Sequence, residues 1–389
     1  MIFFDILNGV YPRYMGYFFM NFTKKATIAG FAIFSMIFGS GNIVFPLILG
    51  KDYTSNYMWV IAGWILSTVV IPIVGYYGAF LFDGDNKKYL SPIGKQGTFI
   101  LMIILMLIAG PFGVTARGVN VAFGGIHIAS PFVNEVLFNF LYCLITILLA
   151  WHPGKIVQLI GVIFTPLKFG GVIFVVVFAL YLGGSFQDIP VSNIPVSECF
   201  MTSTKTGFQT MDLLASFLMG STVYFYIKNS IPQEEQNNKK LFLKFALFAC
   251  IVGAIALSIV YIGLTLIGSQ YAVLLQGTPN ESLFTKIAEV SMGPSASWFV
   301  AIVIAVSCLA TNIALSSVFT DFIHKDILKE RFNRQVLLVI TGILTFGCSL
   351  LGFDQICRIL GIILEALYPF LIIFVFARIV YYFATQKSR

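Results

Sequence analysis

Apolar residues run on continuously along this chain for twenty or more positions at a time, separated by short polar stretches, with no strict alternation of apolar and polar positions. A helix of about 20 residues, rising 1.5 Å per residue, crosses roughly 30 Å of hydrocarbon. The pattern predicts an all-α, polytopic membrane protein with about ten transmembrane helices, over 26–50, 57–82, 98–124, 133–151, 157–183, 207–227, 241–268, 297–323, 336–351 and 356–383, the ninth being the shortest. A transmembrane barrel would show short alternating segments instead.

Gly39-Ser40-Gly41-Asn42 interrupts the first apolar run where a plain membrane helix would place Leu or Ile. Such residues free backbone N–H and C=O groups at mid-membrane depth, where they are tolerated only beside protein or a watery cavity. A discontinuous first helix therefore points to a site for an ion and a small polar solute. The sixth span carries an irregular stretch of its own over 210–221. The connection over 184–206, rich in Ser, Pro and Thr, divides the spans into two fives, 26–183 and 207–383, flanked by an N-terminal segment 1–25 and a tail 384–389. An odd number of spans per half forces the halves to insert in opposite orientations, which makes an inverted repeat, and interruptions at corresponding positions are the best sequence pointer to a transporter site.

Composition agrees with the pattern: charged residues are 11% of the 389, far too few to cover a water-soluble surface. With both termini inside, most Lys and Arg fall on the cytoplasmic side, including Lys24, Lys25, Lys87, Lys88, Lys239 and Arg331, while Lys51, Lys205, Lys286 and Arg358 stay outside. This is the positive-inside distribution, so the net charge of +7 is topological and implies no nucleic-acid surface. The first twenty residues lack a signal peptide's basic start and cleavage site and are assigned no function. The six cysteines and the scattered His127, His152 and His324 show no disulfide framework or metal-ligand spacing. No HExxH or GxSxG motif occurs, so no enzyme and no cofactor is expected, and no repeated filter motif suggests a channel.

Several motifs occur in order: 38–46 (FGSGNIVFP), Ser91-Pro92-Ile93-Gly94-Lys95, Pro153-Gly154-Lys155, Pro166-Leu167-Lys168, Thr210-Met211-Asp212 and Tyr368-Pro369. In this combination the chain resembles the branched-chain amino acid:cation symporter family (LIVCS, BrnQ-type) over about 26–376. The resemblance implies a LeuT-like five-plus-five inverted repeat with discontinuous first and sixth helices. It also implies uptake of leucine, isoleucine and valine by alternating access across a bacterial-type inner membrane, coupled to sodium in the first place, with proton coupling, found in some members, as the alternative. A broader neutral or sulfur amino acid carrier and a non-transporting sensor of the same fold are the alternatives. Members usually carry twelve spans, and in the third helix they tend to have a proline and a glutamate where this chain has Ala116 and Gly124.

A zwitterionic amino acid brings a carboxylate, which the free N–H groups and positive dipole end of a half-helix suit. Gly39, Ser40, Gly41 and Asn42 are the candidates for that contact, the alternative being a kink or close helix packing. The ammonium needs carbonyls or hydroxyls, expected around Leu213, Leu214 and Ser216, and Asp212 is either a site carboxylate or a boundary group held by water. The LeuT-like pattern implies a sodium site from the Ser35 and Phe38 carbonyls with Thr311 and Asn312, and a second, ion-bridging part for Asn42. Lys168 lies about mid-membrane, where an ammonium is costly. Some transporters of this fold place a lysine where sodium would bind, and one that can be neutralised there supports proton coupling; the bland alternative is a snorkelling or paired lysine. Arg117 and Glu365 are read as either an outer gate or a static pair. Phe38, Phe112 and Phe217 are candidates for an apolar substrate pocket. Lipid, one amino acid and sodium or a proton are the expected partners, and the sequence leaves oligomeric state open.

Overall fold

A computed structural model describes residues 11–151, 165–183, 189–231, 236 and 238–387. The expectations placed on 1–10, His152, the Pro153-Gly154-Lys155 motif, the opening of the fifth span (157–164), 184–188 and 388–389 lie outside the described residues. Among the described residues all regular structure is helical. The first span is α1 (Tyr11–Ile37) and α2 (Ser40–Tyr53), and the second is α3 (Tyr57–Ile65) and α4 (Ile71–Leu81). The third is α5 (Gly94–Ala109) and α6 (Val114–Ala129), followed by α7 (Glu135–Ala150) and α8 (Thr165–Leu182). The sixth is α9 (Val196–Phe208) and α10 (Asp212–Ser230), followed by α11 (Lys239–Gln270), a short connecting α12 (Leu283–Met292), α13 (Pro294–Phe322), α14 (Arg334–Ser349) and α15 (Phe353–Lys387). Among the described residues, six helical stretches are long and apolar enough to cross a membrane by length and composition, and three shorter apolar helices accompany them.

Three boundaries differ from the expectation. Helix α1 already runs from Tyr11, so part of the segment assigned to 1–25 is continuous with the first span. Residues 196–206, read as connection, form most of α9, and the sixth span therefore starts about ten residues earlier. Its Ser and Thr residues are compatible with a helix because their hydroxyls turn back onto the preceding turn: Ser203 and Thr204 both donate to the Phe200 carbonyl, at 3.0 and 2.8 Å. The third span is interrupted at 110–113, where Gly110-Pro111-Phe112-Gly113 leaves the helix and Thr115 ties back to the Gly110 carbonyl at 2.8 Å through its hydroxyl. In the second span, Pro72 cannot donate to the turn before it, and the ladder widens to a π turn over Leu66–Val70 without breaking.

The helices pair reciprocally. Helices α1 and α2 of the first span pack on α11 of the seventh, α9 and α10 of the sixth pack on α3 and α4 of the second, and α6 of the third packs on α13 of the eighth. Exchanging first with sixth and second with seventh reproduces the pairing, which is the contact pattern of two inverted five-helix units. The α2–α11 contact is backbone to backbone: a Cβ on Gly50 would overlap the Thr265 carbonyl oxygen, one on Gly268 would lie 2.6 Å from the Leu47 carbonyl oxygen, and Ser269 donates to the Gly50 carbonyl at 3.1 Å. Small residues permit this approach, which fixes α2 against the bundle. Gly124 likewise leaves room for a neighbour: a Cβ there would lie 2.5 Å from Glu281 Cγ, so a carboxylate-bearing chain from another element fills the space that a glutamate at 124 would need.

Candidate functional site

Each break exposes one carbonyl end and one N–H end. Helix α1 closes with the Phe38 N–H donating to the Phe34 carbonyl at 2.8 Å. Gly39 is extended, and its N–H donates to Asn42 Oδ1 at 3.0 Å, so the side chain of α2 caps its own entry. At the second break, Thr210 donates to the Gly207 carbonyl at 2.8 Å and closes α9. Met211 then takes a left-handed φ of 64°, an uncommon conformation for a residue with a side chain, and Asp212 opens α10.

The two breaks meet. Asn42 Nδ2 donates to Asp212 Oδ2 at 2.9 Å, across 170 residues of sequence, and also contacts the Tyr261 hydroxyl of α11. Asn42 is 1% and Asp212 2% exposed, so this contact is inside the protein and Asp212 is no boundary carboxylate. A second link comes from α6: Arg117 Nη1 donates to the Gln209 carbonyl at 2.8 Å, and its guanidinium sits over the Phe45 ring of α2 at 5.2 Å. A Cβ on Gly41 would lie 2.9 Å from Arg117 Nη2, so glycine here makes room for the guanidinium. The third buried charge is Lys168, whose Nζ donates to the Phe38 carbonyl at 3.2 Å and to Thr311 Oγ1 at 3.4 Å.

Phe38 and Thr311, two of the groups expected around sodium, thus converge on the Lys168 ammonium. Ser35 stands half-buried in the last turn of α1. Asn312 does not join them. It lies one residue, about 100° of helix, from Thr311, and its Nδ2 donates to the Thr115 carbonyl of α6 at 3.0 Å. The gate pair is also corrected. Glu365 lies on the exposed face of α15 and pairs with Lys205 at 3.7 Å, whereas Arg117 is 1% exposed and turned to the breaks. Neighbouring Leu364 and Tyr368 take the buried face of α15, which leaves Glu365 pointing outward.

The ammonium-binding expectation changes as well. Helix α10 is regular from Asp212, so its first turn offers free N–H groups and not carbonyls. Leu213 and Ser216 pack toward α4, where a Cβ on Gly75 would lie 2.8 Å from Leu213 Cδ1 and 2.5 Å from Ser216 Oγ, and the Ser216 hydroxyl is spent on the Leu213 carbonyl at 2.7 Å. Leu214 is fully buried in apolar contacts. The groups of the right sign are the carbonyl end of α9 and the Asp212 carboxylate. Of the aromatic candidates, Phe38 stacks on Phe34 at 5.1 Å beside the first break, Phe217 stacks on Tyr89 at 5.6 Å, and Phe112 is 45% exposed and unsuited to a pocket.

Tyr261 and Gln209 were not foreseen. A tyrosine within an apolar span, as at 261, was the available signal, because its hydroxyl needs a partner when buried. Several buried polar atoms around the breaks have no protein partner: Ser40 Oγ, Arg117 Nε, Gln209 Oε1 and Asn312 Oδ1. Such atoms are rare in folded proteins and mark places for water or a ligand. A groove of about 500 Å³ lined by Phe174, Phe178, Met292 and Phe299, among others, includes none of these residues.

The sequence over residues 22–389 matches the family model described as branched-chain amino acid transport protein. The branched-chain amino acid permease BrnQ of Bacillus subtilis (strain 168) is 26% identical over 359 residues, covering 90% of this chain and 79% of the relative. BrnQ of Escherichia coli (strain K12) is 25% identical over 347 residues, covering 87% and 76%. Among solved structures, the inward-facing conformation of Mhp1 superposes with a TM-score of 0.66 at 13% identity over 94% of this chain and 77% of that one. The substrate-bound, outward-open state of a Na+-coupled sialic acid symporter gives 0.52 at 18% identity, over 87% and 76%. These two likenesses establish the LeuT-type fold. The chain belongs to the branched-chain amino acid transport protein family.

Proposed function

We propose that this membrane protein takes up leucine, isoleucine and valine by alternating access, and that its coupling ion is a proton carried by Lys168, in place of the sodium that the sequence resemblance put first. The observation that carries the proton reading is the position of Lys168 Nζ, 3.2 Å from the Phe38 carbonyl and 3.4 Å from Thr311 Oγ1. A charged ammonium on these oxygens excludes sodium by occupancy and by repulsion; neutralised, it releases them. Loss of the Lys168 proton loosens α1 from α8 and α13, which is the mechanical step that opening one side of the bundle requires.

The amino acid is bound at the junction of the breaks. The carbonyl end of α9 and Asp212 suit its ammonium, and the N–H end of α2 at Ser40, Gly41 and Asn42 suits its carboxylate. Binding there competes with the direct Asn42–Asp212 contact, so substrate exchanges one buried polar pairing for two. The distribution of Lys and Arg supports termini on the cytoplasmic side. The test is uptake of radiolabelled leucine, isoleucine and valine into proteoliposomes under proton and sodium gradients imposed separately. Accumulation on the proton gradient supports the proposal; accumulation on sodium alone rejects its coupling half, and no uptake on either rejects it entirely.

A further inference from the structure

Three ionisable side chains are buried beside the breaks: Arg117 at 1%, Lys168 at 2% and Asp212 at 2% exposed. Asp212 is close enough to Arg117 to interact with it electrostatically, so the guanidinium has a counter-charge nearby but no direct ion pair. A buried charge without a counter-charge is expensive, and inside a membrane span it marks a functional position by default. Lys168 is accounted for by the two oxygens it holds and by the coupling role above. Arg117 is not: it donates to one neutral carbonyl, that of Gln209, and meets the Cys357 thiol, while its Nε has no hydrogen-bond partner and no carboxylate forms a direct pair with it. An arginine offers five donors in a planar fork matched to a carboxylate.

The surroundings select the ligand. Arg117 stands against the first turn of the 14-residue helix α2, with Nη2 2.9 Å from where a Cβ on Gly41 would be. That turn has free N–H groups and the positive end of the helix dipole, both suited to an anion. Its Ser40 hydroxyl, 3% exposed, is likewise unpartnered. Two buried donors without partners, the Ser40 hydroxyl and Arg117 Nε, therefore belong to residues at or against one helix N-terminus, and the guanidinium occupies the space that the missing Cβ at 41 leaves.

We propose that Arg117 is the receptor for the α-carboxylate of the transported amino acid, which it holds against the α2 N-terminus with Ser40. This deepens the transport reading and rests on it: Arg117 serves substrate recognition in place of the outer gate. Because Arg117 also touches the second break at Gln209, an occupied site ties α2, α6 and α9 together, and loss of the carboxylate leaves a buried guanidinium short of partners. A substrate lacking the carboxylate is thereby refused.

The test uses the purified full-length protein and equilibrium binding of leucine, leucinol (carboxylate replaced by a hydroxymethyl group) and isocaproate (ammonium removed). The wild type should bind leucine and discriminate strongly against leucinol. Arg117→Gln should lose roughly 10- to 100-fold in leucine affinity, the range for a charge-assisted contact, while leucinol binding changes less than about threefold. Arg117→Lys should keep part of the discrimination. Unchanged leucine affinity in Arg117→Gln, or equal losses for leucine and leucinol, would overturn the proposal, the latter because it reveals a strut between helices. If Arg117→Gln does not fold, Gly41→Ala carries the test: its Cβ pushes on Nη2 and should weaken leucine relative to leucinol, and a ratio equal to the wild type rejects the assignment. A wild type that binds leucine and leucinol alike sinks this inference alone, whereas a wild type that binds no branched-chain amino acid sinks the transport reading beneath it.

Discussion

Removing the Asn42 side chain breaks a direct side-chain hydrogen bond between the first and sixth spans and leaves Asp212 buried without that donor. The bond is 2.9 Å long, involves a carboxylate at 2% exposure, and is accompanied by the Gly39 cap at 3.0 Å. A hydrogen bond to a charged group contributes about 1.5–3 kcal/mol and a helix cap about 1 kcal/mol. Neutral pairs between membrane helices average only about 0.6 kcal/mol, because the membrane-embedded unfolded state also finds partners. The Asn42–Asp212 coupling should therefore lie near 1–2 kcal/mol. The assay is a double-mutant cycle of Asn42→Ala, Asp212→Ala and the double variant, with stability read from reversible unfolding in mixed micelles. Each single variant strands a buried group that the double variant removes, so the double should be less damaged than the sum. Additivity within about 0.5 kcal/mol, the behaviour of independent sites, would refute the claim that the breaks are joined through this pair.

Other outcomes follow from the same geometry. Gly50→Ala should destabilise the protein by about 2 kcal/mol or more, seen as a lower melting temperature, because the added carbon overlaps the Thr265 carbonyl and neither backbone can yield. Glu365→Gln should leave uptake within about twofold of wild type, since an exposed ion pair is worth about 0–1 kcal/mol; a large transport defect would restore the gate role. Asn312→Ala should cost about 1 kcal/mol of stability through its lost bond to the Thr115 carbonyl, with the ion dependence of uptake unchanged.

The sequence revealed what backbone chemistry controls and missed what depends on helix rotation. Gly39-Ser40-Gly41-Asn42 is legible as a break because Asn42 adds a costly polar group to a glycine-rich run inside an apolar span, and Asp212 stands out because a carboxylate in a membrane span is costly. Gly110-Pro111-Phe112-Gly113 also breaks its span, but it lies inside an otherwise apolar stretch whose length predicts one continuous helix. The Ser and Thr residues of helix α9 carry the signature of a loop, although the Ser203 and Thr204 hydroxyls bond within the helix. Thr311 and Asn312 were assigned together, yet adjacent residues on a helix point about 100° apart, and only Thr311 turns to Lys168. Glu365 failed in the same way. The Arg117–Gln209 and Asn42–Tyr261 contacts lie far apart in sequence, and no local pattern encodes them.

Lys168 offers the most direct test of the account. In proteoliposomes with an inward proton gradient and no sodium, the wild type should concentrate leucine, and dissipating the gradient with a protonophore should abolish accumulation. Lys168→Ala should still equilibrate leucine but no longer concentrate it in response to the pH difference. Sodium-driven accumulation by the wild type, or a pH response that survives in Lys168→Ala, would contradict the claim that this ammonium holds the place of the coupling ion.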